Sequence, residues 1–256
     1  MARVGSTIGR GVIAALAASS LVACAYNEDL GRDQLLLVDQ GQLSQLATTS
    51  WQQTLAKSRV SRDAAANRRV TTVAQRIVQA AGRANEPWEY VVFDNDQANA
   101  FVLPNNKVGV NTGLLKIAQT DGQLAAVLGH EIAHVSARHA AERYSQSSLA
   151  QVGMAAAQVA ANQGGGQYSG QLASIFGLGV QYGVLNPYSR QHELEADRIG
   201  LDYMARAGYR PSEALTLWRA MAAQAGRGTP QILSTHPSDA TRIQAIEQHI
   251  AARGYS

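Results

Sequence analysis

His130-Glu131-Ile132-Ala133-His134 (HEIAH) places two histidines four positions apart. On a helix, residues four apart lie on the same face, so both imidazoles can reach one metal ion. The glutamate after the first histidine then stands beside any water that the metal binds, where it can take a proton. The alternative is an ordinary amphipathic helix with two surface histidines, and the flanking sequence has to distinguish the two.

The flanking residues predict a helix that turns both histidines inward. Thr120 or Asp121 can cap its start, and Gln123 stands in capping-box register with Thr120. No proline interrupts the chain from residue 123 to about residue 144. The apolar stripe beside the histidines consists of Leu124, Val127, Leu128, Ile132 and Val135.

An acidic stretch at residues 189–197 (SRQHELEAD) offers a further metal ligand. Catalytic zinc usually takes three protein ligands and leaves a fourth position open. Glu193 could bind the metal directly, and Asp197, on the same helix face, could accept the outer N–H of a ligating histidine. Glu195 lies about 200° around the helix from Glu193, so we expect it to be solvated. A charged helix surface is the alternative for the whole stretch.

Together these two stretches, some sixty residues apart, resemble the zinc metalloprotease family of HtpX, the CAAX prenyl proteases, BepA and LoiP, most closely its periplasmic lipoprotein members. The resemblance implies an α+β, gluzincin-type domain that is mostly helical, with a small three-stranded antiparallel sheet and an HExxH active-site helix. It implies one Zn²⁺ per chain, held by His130, His134 and Glu193. Glu131 would be the catalytic base and Asp197 would support a ligating histidine.

The resemblance covers about 200 residues, beyond the two stretches that carry it. The further matches are Asn99-Ala100-Phe101 with residues 111–115, Gly129 with residues 135–139 (VSARH), and Thr235-His236-Pro237 with Arg242-Ile243. One departure is visible, because many members have Pro-Gly-Gly where this chain has Pro104-Asn105-Asn106. Asparagine tolerates positive φ better than other non-glycine residues, so we expect the hairpin turn to survive.

The four remaining histidines lie outside the HEIAH stretch. His236 resembles a position that can supply an extra zinc ligand, so it would close the fourth position or donate to the oxyanion; a surface-loop histidine is the alternative. His139 is expected to be a structural partner or to support a ligand. His192 could compete with Glu193 as a ligand, and His249 is expected to face solvent.

The first residues have the pattern of a lipoprotein signal peptide (1–23). Arg3 and Arg10 precede an apolar run at residues 11–23 that is too short to span a bilayer. The run ends in Leu-Val-Ala before Cys24, the only cysteine, which resembles a lipobox and predicts lipidation there. Ala25 after the cysteine suggests sorting to the outer membrane, with the protein facing the periplasm of a bacterial cell envelope.

Residues 24–50 are polar and predict a tether, and residues 51–256 predict one zinc metalloprotease domain. Removal of Arg3 and Arg10 leaves 20 basic against 19 acidic side chains, a balance that argues against nucleic-acid binding. Residues 88–93, 98–103 and 107–111 read as three short antiparallel strands, and residues 51–81, 212–225 and 240–253 as helices. We expect the Gly- and Ala-rich segment 149–185 to be a core-packing hairpin; the alternative is a mobile lid or a membrane-touching helix over the cleft.

These features predict a membrane-tethered zinc endopeptidase that degrades misfolded or unassembled envelope proteins by attack of a zinc-activated water. Asn99, Ala100 and Phe101, if on an exposed edge strand, could hold substrate backbone by strand addition. Partners would be the membrane, through the lipid at Cys24, and the outer-membrane assembly machinery. The alternative is a holding chaperone or assembly scaffold for outer-membrane proteins with weak or latent protease activity, although scaffolding needs no general base at Glu131.

Overall fold

A computed structural model describes residues 24–161, 188–223, 231–236 and 240–255. The signal-peptide prediction and most of the Gly- and Ala-rich segment 149–185 lie outside these residues. Helices dominate the described chain, and they surround two small sheets, which confirms the mostly helical α+β prediction. The helices are α1 (Gln40–Lys57), α2 (Ala64–Ala80), α3 (Thr112–Ile117), α4 (Asp121–Ser136), α5 (His139–Ala161), α6 (Arg190–Arg206), α7 (Ser212–Ala223), α8 (Ile232–Thr235) and α9 (Ala240–Arg253).

The strands form a hairpin and a mixed sheet. Strands β1 (Cys24–Asn27) and β2 (Arg32–Leu35) pair antiparallel. The second sheet has the order β3-β5-β4, from strands β3 (Glu89–Phe93), β4 (Ala100–Leu103) and β5 (Lys107–Asn111). β4 and β5 are antiparallel as predicted, but β3 runs parallel to β5, so the wholly antiparallel prediction was wrong. The chain crosses from β3 to the far edge of the sheet before β5 returns between the two.

The β4–β5 turn keeps its shape without glycine. Asn106 adopts φ 64, the left-handed conformation that asparagine accepts more readily than most residues. Its backbone N–H donates to the carbonyl of Leu103 at 2.9 Å. The expectation that this turn would survive the loss of Pro-Gly-Gly is confirmed.

Two long helices of the sequence prediction are each broken in two. Residues 51–81 contain the end of α1 and all of α2, because Asp63 caps a fresh start by accepting from the N–H groups of Ala65 and Ala66. Likewise, the helix predicted to run to about residue 144 ends at Ser136. Arg138 then takes φ 54, and α5 begins at His139 in a new direction.

Residues 24–50, predicted as a polar tether, are folded against the domain. They form β1, β2 and the first part of α1, where Leu43 and Ala47 are buried. The side chain of Gln34 in β2 is also buried. Cys24 is the first residue of β1. The hairpin is therefore part of the described domain rather than a spacer in front of it.

The core lies where α2, the mixed sheet, α4 and α6 meet. One face of α2 is buried there, with Val70, Val73 and Ile77 fully enclosed. Thr120 caps α4 as predicted, accepting from the backbone N–H of Gln123 at 3.1 Å. No helix among the described residues is both long and apolar enough to cross a membrane.

Two glycines let α4 and α6 approach each other closely. A Cβ on Gly129 would lie 3.0 Å from the carbonyl oxygen of Gly200, and a Cβ on Gly200 would lie 2.8 Å from the backbone nitrogen of His130. Both contacts are to backbone, which cannot rotate away. The crossing point is thus fixed next to the first histidine of HEIAH, and it sets the distance between the two helices that carry the candidate ligands.

We expect Gly200→Ala to destabilise the fold, because its methyl group would meet the α4 backbone. The free energy of unfolding should fall by about 1–3 kcal/mol, as for overpacked cores, measured by urea denaturation. Gly122→Ala is the matched control, since it adds the same methyl to α4 against the flexible side chain of Glu213. Equal stability of the two variants would contradict a tight α4–α6 crossing.

Candidate active site

Four buried side chains meet between α4, α6 and α8. One nitrogen or oxygen from each of His130, His134, Glu193 and His236 lies within 4.8 Å of the others. α4 presents its two histidines from adjacent turns, and the first turn of α6 presents Glu193. His236 follows the last residue of α8. The structure therefore brings together the three predicted ligands and the proposed fourth one.

The distances in this group are short. Nε2 of His130 lies 3.1 Å from Nε2 of His134 and 3.3 Å from Oε2 of Glu193. Nδ1 of His236 lies 3.0 Å from Oε1 of Glu193 and 3.2 Å from Nε2 of His130. His236 is only 3% exposed, so its alternative as a surface-loop histidine was wrong.

Asp197 supports the first histidine, in the place that the sequence predicted. Its Oδ1 lies 2.8 Å from Nδ1 of His130. Arg242 completes this arrangement, since its Nε and Nη2 donate to Asp197 at 2.8 Å and its Nη1 lies 2.8 Å from Oε2 of Glu193. One buried guanidinium thus contacts two buried carboxylates, and its central carbon lies 4.5 Å from the centre of the Trp218 ring. In the sequence analysis Arg242 appeared only as one of the residues that match the zinc metalloprotease family, without a role of its own.

The second histidine has its own outer partner. Nδ1 of His134 lies 2.9 Å from Nδ1 of His139, whose Nε2 lies 3.0 Å from Oε2 of Glu195. His139 therefore supports a candidate ligand, as expected. Glu195 is not solvated: it pairs with Arg32 of β2 at 2.6 Å, so the sequence-based expectation for Glu195 was wrong.

These partners determine which nitrogens carry protons. Asp197 only accepts, so His130 donates from Nδ1 and keeps the lone pair of Nε2. Glu195 likewise accepts from Nε2 of His139. A neutral His139 then accepts at Nδ1, and His134 donates from its own Nδ1. Both Nε2 lone pairs of the HEIAH histidines consequently point into the shared space.

Such a group of donors fits a metal ion. Two imidazole lone pairs 3.1 Å apart, beside the Glu193 carboxylate, repel one another unless a proton or a metal ion lies between them. Two histidines and one carboxylate are a donor set of catalytic zinc, and both outer N–H groups are held as metal-binding histidines usually are. The residues present therefore fit zinc.

The local electrostatics keep His134 neutral but favour a second proton on His130 until a metal binds. Burial lowers the pKa of His134 well below its usual range, so this imidazole is neutral. Burial opposes protonation of His130 too, but the charges of Asp197 and Glu193 raise its pKa to about 9. A metal ion must therefore displace a proton there. Burial raises the pKa of Glu131, which makes its carboxylate a stronger base than an exposed glutamate.

Glu131 faces the same space from α4. Its Oε1 is buried and makes no hydrogen bond, although Nε2 of His236 lies 3.2 Å away. A backbone hydrogen bond from Val102 in β4 reaches the same carboxylate. The predicted base is thus held between the sheet and the four-residue group.

A comparison with known protein families identifies the family to which this site belongs. Residues 64–250 match the model described as "Peptidase family M48". The chain belongs to peptidase family M48. That match contains α4 and α6, and with them His130, His134 and Glu193, so the ligand group lies inside the M48 domain.

Curated relatives of this M48 domain are named as proteases. Mitochondrial metalloendopeptidase OMA1 of Schizosaccharomyces pombe is 39% identical over 183 residues, covering 70% of this chain and 51% of that protein. The OMA1 of Bos taurus is 31% identical over 237 residues, 86% of this chain and 45% of that protein. The beta-barrel assembly-enhancing protease of Escherichia coli K12 is 29% identical over 184 residues, 68% and 37% respectively. The chain spans about half or less of these relatives, and its M48 domain is a metalloendopeptidase domain.

Tyr188 is a site residue that the sequence reading missed. Its ring stacks on His134 with centroids 3.9 Å apart, and the guanidinium carbon of Arg143 lies 3.9 Å from its centroid. Burial raises the pKa of Tyr188 to about 12, so the phenol keeps its proton at neutral pH. Its position just before the cap of α6, Ser189, is the one signal that could have indicated it.

A cavity of about 250 Å³ lies beside Glu131 and His236, and β4 lines it along its length. β4 is an edge strand among the described residues, because it pairs only with β5. Asn99 accepts from Asn111 on the β5 side, whereas the carbonyl of Ala98 accepts from Ile232 on the other side. By this alternation the backbone of Ala100 points away from β5.

The predicted substrate-strand residues have different surroundings. Asn99 and Phe101 are partly exposed, whereas Ala100 is 1% exposed, so a peptide could pair with Ala100 only if the cavity widened. The ring of Phe101 lies over Gly109 and stacks with Phe93 at 6.3 Å. Phe101 thus packs in a small aromatic cluster as well as lining the cavity.

Two other histidines differ from their predictions. His192 turns its Nε2 toward Glu142 at 3.2 Å and does not join the ligand group, so it does not compete with Glu193. His249 does not simply face solvent, because its Nε2 lies 2.8 Å from Asp202 in a partly buried contact between α9 and α6.

Proposed function

We propose that this protein is a zinc-dependent endopeptidase. The observation that carries the proposal is the convergence of His130, His134 and Glu193 beside the buried carboxylate of Glu131, whose Oε1 makes no hydrogen bond. A dead scaffold would have no need for a basic carboxylate buried at this point. The M48 membership and the metalloendopeptidase names of the relatives support the same reaction class.

Zinc bound to these three ligands would acidify a water molecule and polarise the scissile carbonyl. Glu131 takes the proton from the attacking water and later delivers it to the leaving amine. Asp197 and His139 hold the rings of His130 and His134 in the tautomers that turn Nε2 inward. Arg242 contacts both Glu193 and Asp197, and its positive charge favours the ionised form of these carboxylates.

His236 would act as a latch on this site. Its Nδ1 stands among the other donor atoms, and its Nε2 lies 3.2 Å from the carboxylate of Glu131. The His236 imidazole thus takes the position that the attacking water would need, and it also contacts Glu131, the base that would act on that water. Zinc ligation by His236 would leave the enzyme latent, and this geometry favours that role over donation to the oxyanion.

The substrates we propose are misfolded or unassembled envelope proteins in extended conformation. The outer edge of β4 beside Glu131 would offer backbone groups for strand addition once the cavity widened, with Asn99, Ala100 and Phe101 along the wall. Strand addition reads backbone rather than side chains, so it suits unfolded segments of many sequences. The name of the beta-barrel assembly-enhancing protease favours the outer-membrane assembly machinery as a partner.

We further propose an outer-membrane lipoprotein that faces the periplasm, anchored through lipid on Cys24. The sequence of residues 11–24 supports it, and β1 begins at Cys24, so the anchor would lie directly against the folded domain. The relatives named OMA1 are mitochondrial, so cell fractionation is the test of the bacterial outer-membrane location proposed here.

A holding chaperone or assembly scaffold is the second candidate. The feature that favours it is the position of His236 among the ligands, since a zinc centre closed by this histidine would have little proteolytic activity. Such a protein would bind unfolded clients along β4 without cutting them.

Glu131→Gln should abolish cleavage of an unfolded outer-membrane protein while the zinc content stays at one ion per chain. The amide cannot take a proton, and loss of a general base typically costs about 10²–10⁴-fold in rate. Peptide release and elemental analysis measure the two quantities. Glu193→Ala is the companion variant and should lose zinc as well. Undiminished cleavage by Glu131→Gln would refute the protease mechanism, and a wild type that holds clients without cutting them would favour the chaperone.

His236→Ala should raise the peptidase rate, because it frees both the fourth zinc position and Glu131. His249→Ala is the matched control, since it removes a histidine of the same domain that is remote from the ligand group. Initial rates on a quenched fluorescent peptide compare the variants at equal zinc loading. A fall in rate for His236→Ala would assign it to the oxyanion instead of the latch.

Cys24→Ser should release the protein from the membrane fraction of bacterial cells and remove the mass of the lipid from its N-terminal peptide. Sucrose-gradient fractionation and mass spectrometry are the measurements. A serine variant that stays in the outer membrane would rule out anchoring at this residue.

A further inference from the structure

The β1–β2 hairpin contacts the candidate metal site from behind. Arg32, in β2, donates from Nε and Nη2 to both oxygens of Glu195, at 2.6 and 2.8 Å. The same guanidinium donates from Nη1 and Nη2 to both oxygens of Glu142, at 2.8 and 3.0 Å. One side chain therefore joins α5, which carries Glu142, to α6, which carries Glu195.

Glu195 leads directly to a candidate ligand. Its Oε2 accepts from His139, and His139 in turn meets Nδ1 of His134 at 2.9 Å. Each contact depends on the orientation of the one before it. With Arg32 removed, the Glu195 carboxylate could rotate toward solvent, and His139 would lose the acceptor that fixes its proton on Nε2.

Gln34 provides a second contact from the same strand. Its Nε2 donates to the carbonyl of Ala137 at 2.7 Å and to Oε2 of Glu142 at 2.8 Å, and its side chain is buried. Ala137 stands between α4 and α5, next to Arg138 with its φ of 54. The hairpin thus holds the break that turns His139 back toward His134.

We propose that the N-terminal hairpin is a positioning layer of the metal site, in which Arg32 orients Glu195 and thereby sets the metal-binding face of His134. This inference rests on the proposed zinc enzyme and adds a means of regulating it. The hairpin precedes residues 64–250, so it lies outside the part of the chain that the M48 family model matches. It also begins at Cys24, so a pull or twist at the anchor would act on Arg32 eight residues later.

A second metal site is the competing explanation for this cluster. His139, His192 and Glu195 each offer a ligand atom within 4.8 Å of the others. Arg32 already supplies the cation there, with close contacts to all four carboxylate oxygens of Glu142 and Glu195. A metal ion would have to displace these bonds, so positioning accounts for the cluster with the groups already in place.

Zinc affinity of the purified full chain tests the proposal, measured by competition with a zinc-binding dye. Arg32→Gln should weaken zinc binding about tenfold, the lower end of the range for outer partners of ligating histidines. Arg32→Lys keeps the charge but cannot fork onto two carboxylates, so it should lose affinity in the same direction and serves if the glutamine variant does not fold. Combining Arg32→Gln with His139→Asn should cost no more than His139→Asn alone, because both act on His134 along one path.

Arg198→Gln is the matched control. It removes another hairpin contact, from Arg198 on α6 to the carbonyl of Asp29, that does not lead to the ligands. It should leave zinc affinity unchanged. Wild-type affinity in Arg32→Gln and Arg32→Lys, or an equal loss in Arg198→Gln, would overturn the inference. The same measurement tells failure of this inference from failure of the proposed function. A wild type that binds zinc tightly, with one weaker zinc per Arg32→Gln chain, supports the positioning role of Arg32. A wild type without zinc affinity would instead refute the proposed zinc enzyme.

Discussion

The close crossing of α4 and α6 is the constraint on which the rest of the site depends. Ligand atoms about 3 Å apart must come from two helices whose axes are held by backbone contact, and only glycine allows that contact at positions 129 and 200. The crossing lies at His130 itself, so the helices cannot separate without moving a ligand. The same spacing of α4 and α6 is therefore needed both for their packing and for the geometry of the metal ligands.

Charge is the second requirement that the crossing creates. Bringing the helices together buries Glu131, Glu193 and Asp197, and each buried carboxylate is costly without a partner. Arg242 satisfies two of them from α9, and zinc would contribute positive charge to the centre. Oε1 of Glu131 and Oε2 of Glu193 both lack a hydrogen bond, but Oε2 of Glu193 lies 2.8 Å from Nη1 of Arg242, whereas the neighbour of Oε1 of Glu131 is an imidazole. The distribution of partners thus separates the residues that hold the site from the one that would react.

Local patterns in the sequence predicted much of this arrangement, and non-local contacts set the remainder. The i, i+4 spacing of the histidines, the cap at Thr120 and the position of Asp197 follow from helix geometry, so the structure has them where the sequence placed them. The parallel pairing of β3 with β5, the salt bridge of Glu195 and the burial of His236 depend on partners far away in the chain. The left-handed Arg138 also had no local signal, because arginine rarely adopts that conformation. The break at Arg138 is what brings His139 behind His134, so the pattern of a continuous helix could not predict this contact.

The order β3-β5-β4 also bears on how the chain folds. β4 and β5 are joined by a turn of three residues, so they can pair at small cost in loop entropy. β3 joins β5 in parallel only after the chain has passed round the far edge of the sheet, which is a slower, less local event. The strand that borders the cavity therefore belongs to the early hairpin, and the wall of the cleft can form before the sheet behind it is complete.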